Sequence, residues 1–371
     1  MSKEGAAAIF KGADKCFEIR KFPVVSPREK QVLLSLKLSG ICGTDVHIHN
    51  GRLAMPENDM IIGHEFIGKI EELGEGAEYD GLGQPLEVGD NCIACVAIPC
   101  NNCFNCLRGE TASCLNFGVT YVEDVGVEPH FFGGFAEYLY SPALNLVKIP
   151  EGLKLDSIAA FPCAGPTIIR TFEYGRQLEA GELVVIQGAG AMGLFAVAWA
   201  VKKGCHVVVI GSSSNLSRQT IAEELGAELV LDYRKSTEEE RLEIITKLAE
   251  SLGRGNGADV VIETSGSRKA VPEGLNLLRT RGCYLVPGQY SASGSVEINP
   301  ELITFKALQI IGSGQYTLQD IKTYLEFVED NQDLCDIFAS CLNKYKIENV
   351  NEAMDSSKSG LSIKSVFVGN D

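Results

Sequence analysis

The sequence is short of positive charge, of histidine and of long apolar runs. Its 33 lysines and arginines are outweighed by 49 acidic residues, giving a formal net charge of −16. That balance repels phosphate backbones and anionic bilayers, so neither nucleic acid nor membrane is an expected partner. No apolar run has the length of a membrane span. The opening "MSKEGAAAIFKGADK" lacks the apolar core of a secretory signal. Internal repeats and low-complexity linkers are missing, and the densest charge run, "STEEERLE", reads as the solvated start of a helix. The expectation is a cytoplasmic protein with reduced thiols.

What the chain does have is length and cysteine. At 371 residues it exceeds what one compact core usually covers, which predicts two domains. The first part, to about residue 160, is β-rich in texture, with "QVLLSLKLSGIC" and "EFIGKIEELG" as short apolar or alternating runs closed by glycine. From Gly181 the texture changes. "LVVIQG", "HVVVIG", "ELVLDY", "ADVVIETSG" and "CYLVPG" are apolar strands separated by helical stretches, the rhythm of a doubly wound parallel sheet. After about Phe305 the texture is mixed again, and "TLQDIKTYLEFVEDN" reads as a helix with a threonine cap. The predicted layout is α/β: a β-rich domain over 1–164 and 305–371, split around a sheet domain over 165–304.

In "VVIQGAGAMG" the glycines Gly188, Gly190 and Gly193 follow a strand and open a helix with Ala191 and Met192. That context makes the pattern a dinucleotide fingerprint. The first glycine makes the tight turn, the second admits a pyrophosphate, and the third lets helix pack on strand. The next strand should end in an acid if it holds the ribose of NAD. Here Gly211, Ser212 and Ser213 stand in that place, with Arg218 or Arg234 available as countercharge to a 2′-phosphate. NAD and NADP both remain open.

Of the 13 cysteines, six fall between Cys92 and Cys114, a clustering that suits metal binding better than a disulfide framework. Cys100, Cys103, Cys106 and Cys114 have the spacing at which successive thiolates turn onto one ion, a closed site that suits structural zinc. An iron–sulfur cluster is the competing occupant, and Cys92 and Cys95 form a further CxxC just upstream. Elsewhere, Cys42 stands in "GICGTDVH", His64 and Glu65 in "GHEFIG", and Cys163 in "CAGPT". Two sulfurs and one imidazole would leave a fourth position on zinc open to a substrate oxygen.

These motifs, in this order and over nearly the whole chain, resemble the zinc-containing medium-chain alcohol dehydrogenases. The resemblance implies a GroES-like catalytic domain split around a Rossmann domain, one catalytic and one structural zinc, NAD or NADP, an alcohol or carbonyl substrate, and a homodimer or homotetramer. It implies Cys42, His64 and Cys163 as ligands of the catalytic zinc, Thr44 and His47 as a proton relay, and Glu65 as a carboxylate close to the metal. Thr167, and Thr264 and Gly288 at the strand ends "VIETSG" and "LVPGQ", would face the cofactor. His49, His130 and His206 fall outside the motifs and are expected in loop, surface or structural roles.

Overall fold

The computed structural model describes residues 3–95, 97–212, 215–288 and 291–370. It divides into two compact units, Met1–Pro166 with Tyr316–Asp371, and Thr167–Gln315.

The first unit starts with a hairpin-like pair, β1 (Glu4–Ile9) and β2 (Glu18–Pro23), antiparallel to one another. Then come β3 (Gln31–Gly40), α1 (Gly43–His49), β4 (Glu65–Leu73), β5 (Asn91–Ala94), β6 (Tyr138–Pro142), β7 (Leu146–Lys148) and α2 (Leu155–Ala159). Helix α3 (Ala164–Gly175) leads the chain out of this unit. The long strand β3 is its spine. It pairs antiparallel with β4 on one side, placing Gly40 opposite Glu65, and also with β6. A core that includes Ile9, Leu34, Phe66, Phe131 and Phe135 lies beneath these strands.

The second unit reads β8 (Leu183–Gln187), α4 (Ala191–Lys202), β9 (His206–Gly211), α5 (Leu216–Glu224), β10 (Leu229–Asp232), α6 (Glu238–Ser251), β11 (Ala258–Glu263), α7 (Ala270–Leu277), β12 (Leu278–Val286), α8 (Pro300–Phe305) and β13 (Gln309–Gly312). Its six strands lie in the order β10-β9-β8-β11-β12-β13, every described pair parallel. All residues of β8 and β11 are buried. Central strands flanked on both faces by helices read as unbroken apolar runs, which is why these segments do not alternate. The acidic run forms the first turn of α6, where Thr237 caps the helix and the glutamates favour the positive end of its dipole.

The chain then returns to the first unit with α9 (Leu318–Asp330), α10 (Cys335–Ser340), β14 (Leu342–Tyr345), α11 (Val350–Ser359) and β15 (Lys364–Val368). Thr317 caps α9 as its sequence predicts. Strand β15 pairs antiparallel with β3, Val366 facing Gly40.

One boundary is corrected. The sequence texture ends the sheet domain at 304, but β13 hydrogen-bonds alongside β12 and carries the second unit to Gln315. Four residues, "QIIG", are too few to show a period, and only their pairing reveals the sixth strand.

Candidate active site and metal centres

Pairing of β3 with β4 brings three members of the first cluster together, Cys42, His64 and Glu65. Cys42 follows the end of β3 and, with extended backbone, caps the N-terminus of α1. His64 stands just before β4, after a turn at Gly63 with φ +99° that only glycine adopts without strain. Cys163 lies just before α3. One donor atom each from Cys42, His64, Glu65 and Cys163 lies within 4.8 Å of the other three.

The donors of this cluster shift one another's protonation. A hydrogen bond from Cys163 holds the Cys42 thiol well below its ordinary pKa, and the same bond pushes Cys163 well above. Burial works against charging His64, yet Asp45 and Cys42 raise its pKa well above the ordinary value. Zinc suits the donor set of two sulfurs and one imidazole, and its binding would displace their protons.

Two residues here escape a reading of motifs. Asp45, fully buried, accepts the Cys42 N–H at 2.8 Å through Oδ2, and its Oδ1 lies 3.4 Å from His64 Nδ1. It thus hydrogen-bonds the backbone of one candidate ligand and lies against the ring of another. Its position in the first turn of a helix, three residues after the cap, is a signal the sequence carries. Outer carboxylates on ligating histidines are worth about 10–100-fold in metal affinity. Asp45→Asn is accordingly expected to weaken zinc retention by about that factor in a competition titration with a chelator. The second residue is Lys364, buried at the start of β15, whose Nζ pairs with Glu65 Oε2. Burial opposes its charge, but Glu65 more than restores it, and the pKa ends above the ordinary lysine value. Burial pushes the Glu65 carboxyl up to about 7, with Lys364 pulling the other way. A single lysine in "SIKSVFV" has no spacing to announce it; only the sheet brings it to Glu65.

Thr44 and His47 both lie on α1, three residues apart and so on one face. The Cys42 Sγ is 3.9 Å from Thr44 Oγ1. His47 is half-buried, and burial first, then the charge of Arg52, lowers its pKa. The long connection after the cysteine loop also reaches this cluster: the Tyr121 ring is 6.0 Å from the His64 ring.

The second cluster is Cys100, Cys103, Cys106 and Cys114, again with sulfurs within 4.8 Å of one another. Backbone N–H groups point at them: Cys100 and Asn116 donate to Cys114 Sγ at 3.3 Å, and Leu115 donates to Cys103 Sγ at 3.5 Å. Such bonds favour thiolates, and chiefly by a backbone bond the Cys103 pKa falls to about 6. The lobe has little core of its own, with Phe104, Leu107 and Leu115 all more than 65% exposed. Cys92 and Cys95 belong to neither cluster. Both are buried, which pushes their pKa values up to about 12 and about 11 and leaves them as neutral thiols.

In the second unit the glycine turn has the shape of a phosphate cradle. Gly188 has φ +116°. A Cβ on Gly193 would lie 2.0 Å from the Gly188 carbonyl oxygen, so this glycine lets helix α4 close onto the turn. A Cβ on Gly190 would meet nothing within 4 Å: the space over the helix N-terminus is open, where free N–H groups can face a pyrophosphate. Ala191 and Met192, half-buried, form the first turn of α4. Thr264 donates to the Gln187 carbonyl at 3.0 Å and closes one side of the turn. Gly190→Val is therefore expected to leave the fold unchanged yet raise the NAD(P)H dissociation constant by tenfold or more, about 1.4 kcal/mol. Gly193→Val should instead lower the melting temperature. Nucleotide fluorescence titration and thermal unfolding separate the two effects.

The remaining candidates are dispersed in the second unit. Thr167 is buried in α3, its carbonyl accepting from Thr171. Ser212 follows β9, half-buried, and Arg218 lies in α5, where burial lowers its pKa. Gly288 is half-buried, two residues past β12. Ser213 lies outside the described residues. His49, expected in a surface or loop position, is corrected. It is 6% exposed at the end of α1, packed 5.4 Å from the Phe17 ring, and burial lowers its pKa. His130 stacks on Phe22, and His206 pairs with Glu228 at 2.6 Å.

Comparison with known proteins agrees with this architecture. Residues 28–151 match the model of the alcohol dehydrogenase GroES-like domain, and residues 191–330 that of the zinc-binding dehydrogenases. A 5-exo-hydroxycamphor dehydrogenase of Pseudomonas putida is 30% identical over 94% of this chain and 95% of its own. A sorbitol dehydrogenase of Halalkalibacterium halodurans is 30% identical over 94% of each chain. Among solved structures, an alcohol dehydrogenase of Thermotoga maritima superposes with a TM-score of 0.90 at 27% identity, covering 99% of this chain and 100% of that one. With a GroES-like unit split around a six-stranded parallel sheet, and these relatives along its full length, the chain belongs to the zinc-type medium-chain dehydrogenase family and is an NAD(P)-linked oxidoreductase.

Proposed function

We propose that the protein is a zinc-dependent alcohol dehydrogenase that interconverts a primary or secondary alcohol, cyclic and polyol alcohols included, with its carbonyl compound. One observation carries the reading: two half-buried thiols and a buried imidazole converge in a cluster whose neighbouring carboxylate is engaged by a lysine. Cys42, His64 and Cys163 would hold zinc. Zinc there would act as a Lewis acid on the substrate hydroxyl and ease its loss of a proton. Thr44 takes that proton on its hydroxyl and passes its own to His47, which gives it to solvent. The lowered pKa of His47 keeps the imidazole neutral and able to accept. The cysteine lobe, with four sulfurs and no open position, would hold a second zinc with a structural role. Gly188, Gly190 and Gly193 would seat the pyrophosphate of the dinucleotide, whose nicotinamide would supply the hydride acceptor.

The relatives named for a hydroxylated camphor and for a polyol make ring and polyol alcohols the first compounds to assay. The test is a panel of primary, secondary, cyclic and polyol substrates with NAD⁺ and NADP⁺ separately, on protein of measured zinc content. Turnover of at least one alcohol is expected, and the preferred dinucleotide is read from the same plates. Zinc-replete protein that binds NADH but converts no alcohol and no carbonyl compound would sink the reading.

A further inference from the structure

We propose that Lys364 is a positioning residue that holds the Glu65 carboxylate back from the catalytic metal and so keeps one coordination position open for substrate. The inference rests on the reading that Cys42, His64 and Cys163 hold zinc. Four side chains, not three, offer donors within 4.8 Å of one another, and the fourth is Glu65. A carboxylate is a normal zinc ligand. A site closed by four protein ligands has no place for an alcohol. Something in the chain must decide between three ligands and four.

Two features hold the carboxylate aside. Lys364 Nζ donates to Glu65 Oε2. Gly40, directly opposite Glu65 in the β3–β4 ladder, leaves the space in which that oxygen lies: a Cβ there would be 2.0 Å away. The other oxygen, Oε1, is buried and has no hydrogen-bond partner among the described residues. An unpartnered buried carboxylate oxygen is costly and gains from any cation within reach.

Two thiolates would neutralise a divalent ion, Asp45 lies against His64, and Lys364 pairs with Glu65. Without the ammonium, the Glu65 carboxylate is left buried beside the metal with no cation of its own, and ligation is its nearest compensation. Lys364 therefore sets coordination number through Glu65, without touching the metal.

The experiment substitutes cobalt(II) at the catalytic site of the full-length protein and compares wild type, Lys364→Met, Lys364→Arg, Glu65→Gln and the double variant Glu65→Gln/Lys364→Met. The visible spectrum reports the number and type of ligands. Lys364→Met is expected to show an added oxygen ligand, release metal to chelator more slowly, and raise the alcohol KM with NADH affinity unchanged. If Glu65 blocks the site in nine of ten molecules, KM rises about tenfold. Lys364→Arg should keep the wild-type spectrum, and the double variant should return to it. Glu65→Gln alone should also leave it unchanged, a result independent of whether Lys364→Met folds. The proposal is overturned if Glu65→Gln alters the wild-type spectrum, or if a folded Lys364→Met leaves spectrum and KM as they were. A wild-type protein whose cobalt spectrum is indistinguishable from that of Cys42→Ser overturns the zinc reading itself.

Discussion

Replacing Cys42 by serine is expected to remove one zinc per chain and to lower alcohol oxidation by at least about a hundredfold, with the fold intact. The magnitude follows from the position of the residue. Outer partners of a zinc ligand are worth about 10–100-fold, and a direct ligand cannot be worth less. Cys42 is also the group whose negative charge the site already stabilises, since a bond from Cys163 holds its pKa down. A serine hydroxyl has no comparable tendency to ionise and is a poor zinc ligand. The fold should survive. Serine is a preferred cap residue, the position already has the extended backbone of a cap, and Asp45 still accepts its N–H. Metal analysis, a circular-dichroism melt and steady-state rates check the three parts separately. Undiminished turnover in zinc-depleted Cys42→Ser protein would refute the role.

Cys103→Ser is expected to act on stability instead. The variant should lose the other zinc and melt about 6–12 °C lower, taking a cost of about 3 kcal/mol and the usual shift per kcal/mol for domains of this size. The lobe around Cys100–Cys114 cannot hold itself by burial: Ala112 and Cys114 are buried there, while Phe104, Leu107 and Leu115 face solvent. Structural zinc sites of this kind contribute about 10–16 kcal/mol to folding in isolated peptides, so 3 kcal/mol is a modest share. Backbone hydrogen bonds hold the Cys103 pKa down to about 6, so this sulfur is well disposed to bind as a thiolate. Zinc stoichiometry falling from two to one, with residual activity at low temperature, is the pattern to look for. An unchanged melting curve would mean that the lobe holds its shape without metal.

Much of this protein was legible in its residues because the signals are local. Gly188, Gly190 and Gly193 are dictated by one tight turn, so their spacing is written in six consecutive positions. The cysteine lobe is similarly local, its four sulfurs drawn from fifteen residues. Parallel strands announce themselves as apolar runs because both faces are buried. The sequence also separated Cys42 from its neighbouring histidines by motif. What it misjudged was depth: His49 follows two residues after His47 in a short helix, and nothing local tells which of two such histidines faces the core.

The rest belongs to the tertiary structure. Cys42, His64 and Cys163 are scattered over more than a hundred residues: the β3–β4 register brings the first two together, and Cys163 joins them from the turn before α3. The sixth strand is too short to show a period and exists by virtue of its neighbour β12. Lys364 arrives some three hundred positions after Glu65, carried in by β15 on the far side of β3. Local motifs thus carried the resemblance to the family, the dinucleotide turn and the candidate metal-binding residue types. Strand register determined how many of them face one point, and which buried charge keeps the carboxylate from closing the site. The reason is physical: propensity and turn chemistry act over a few residues, whereas a buried charge finds its partner only after the chain has packed.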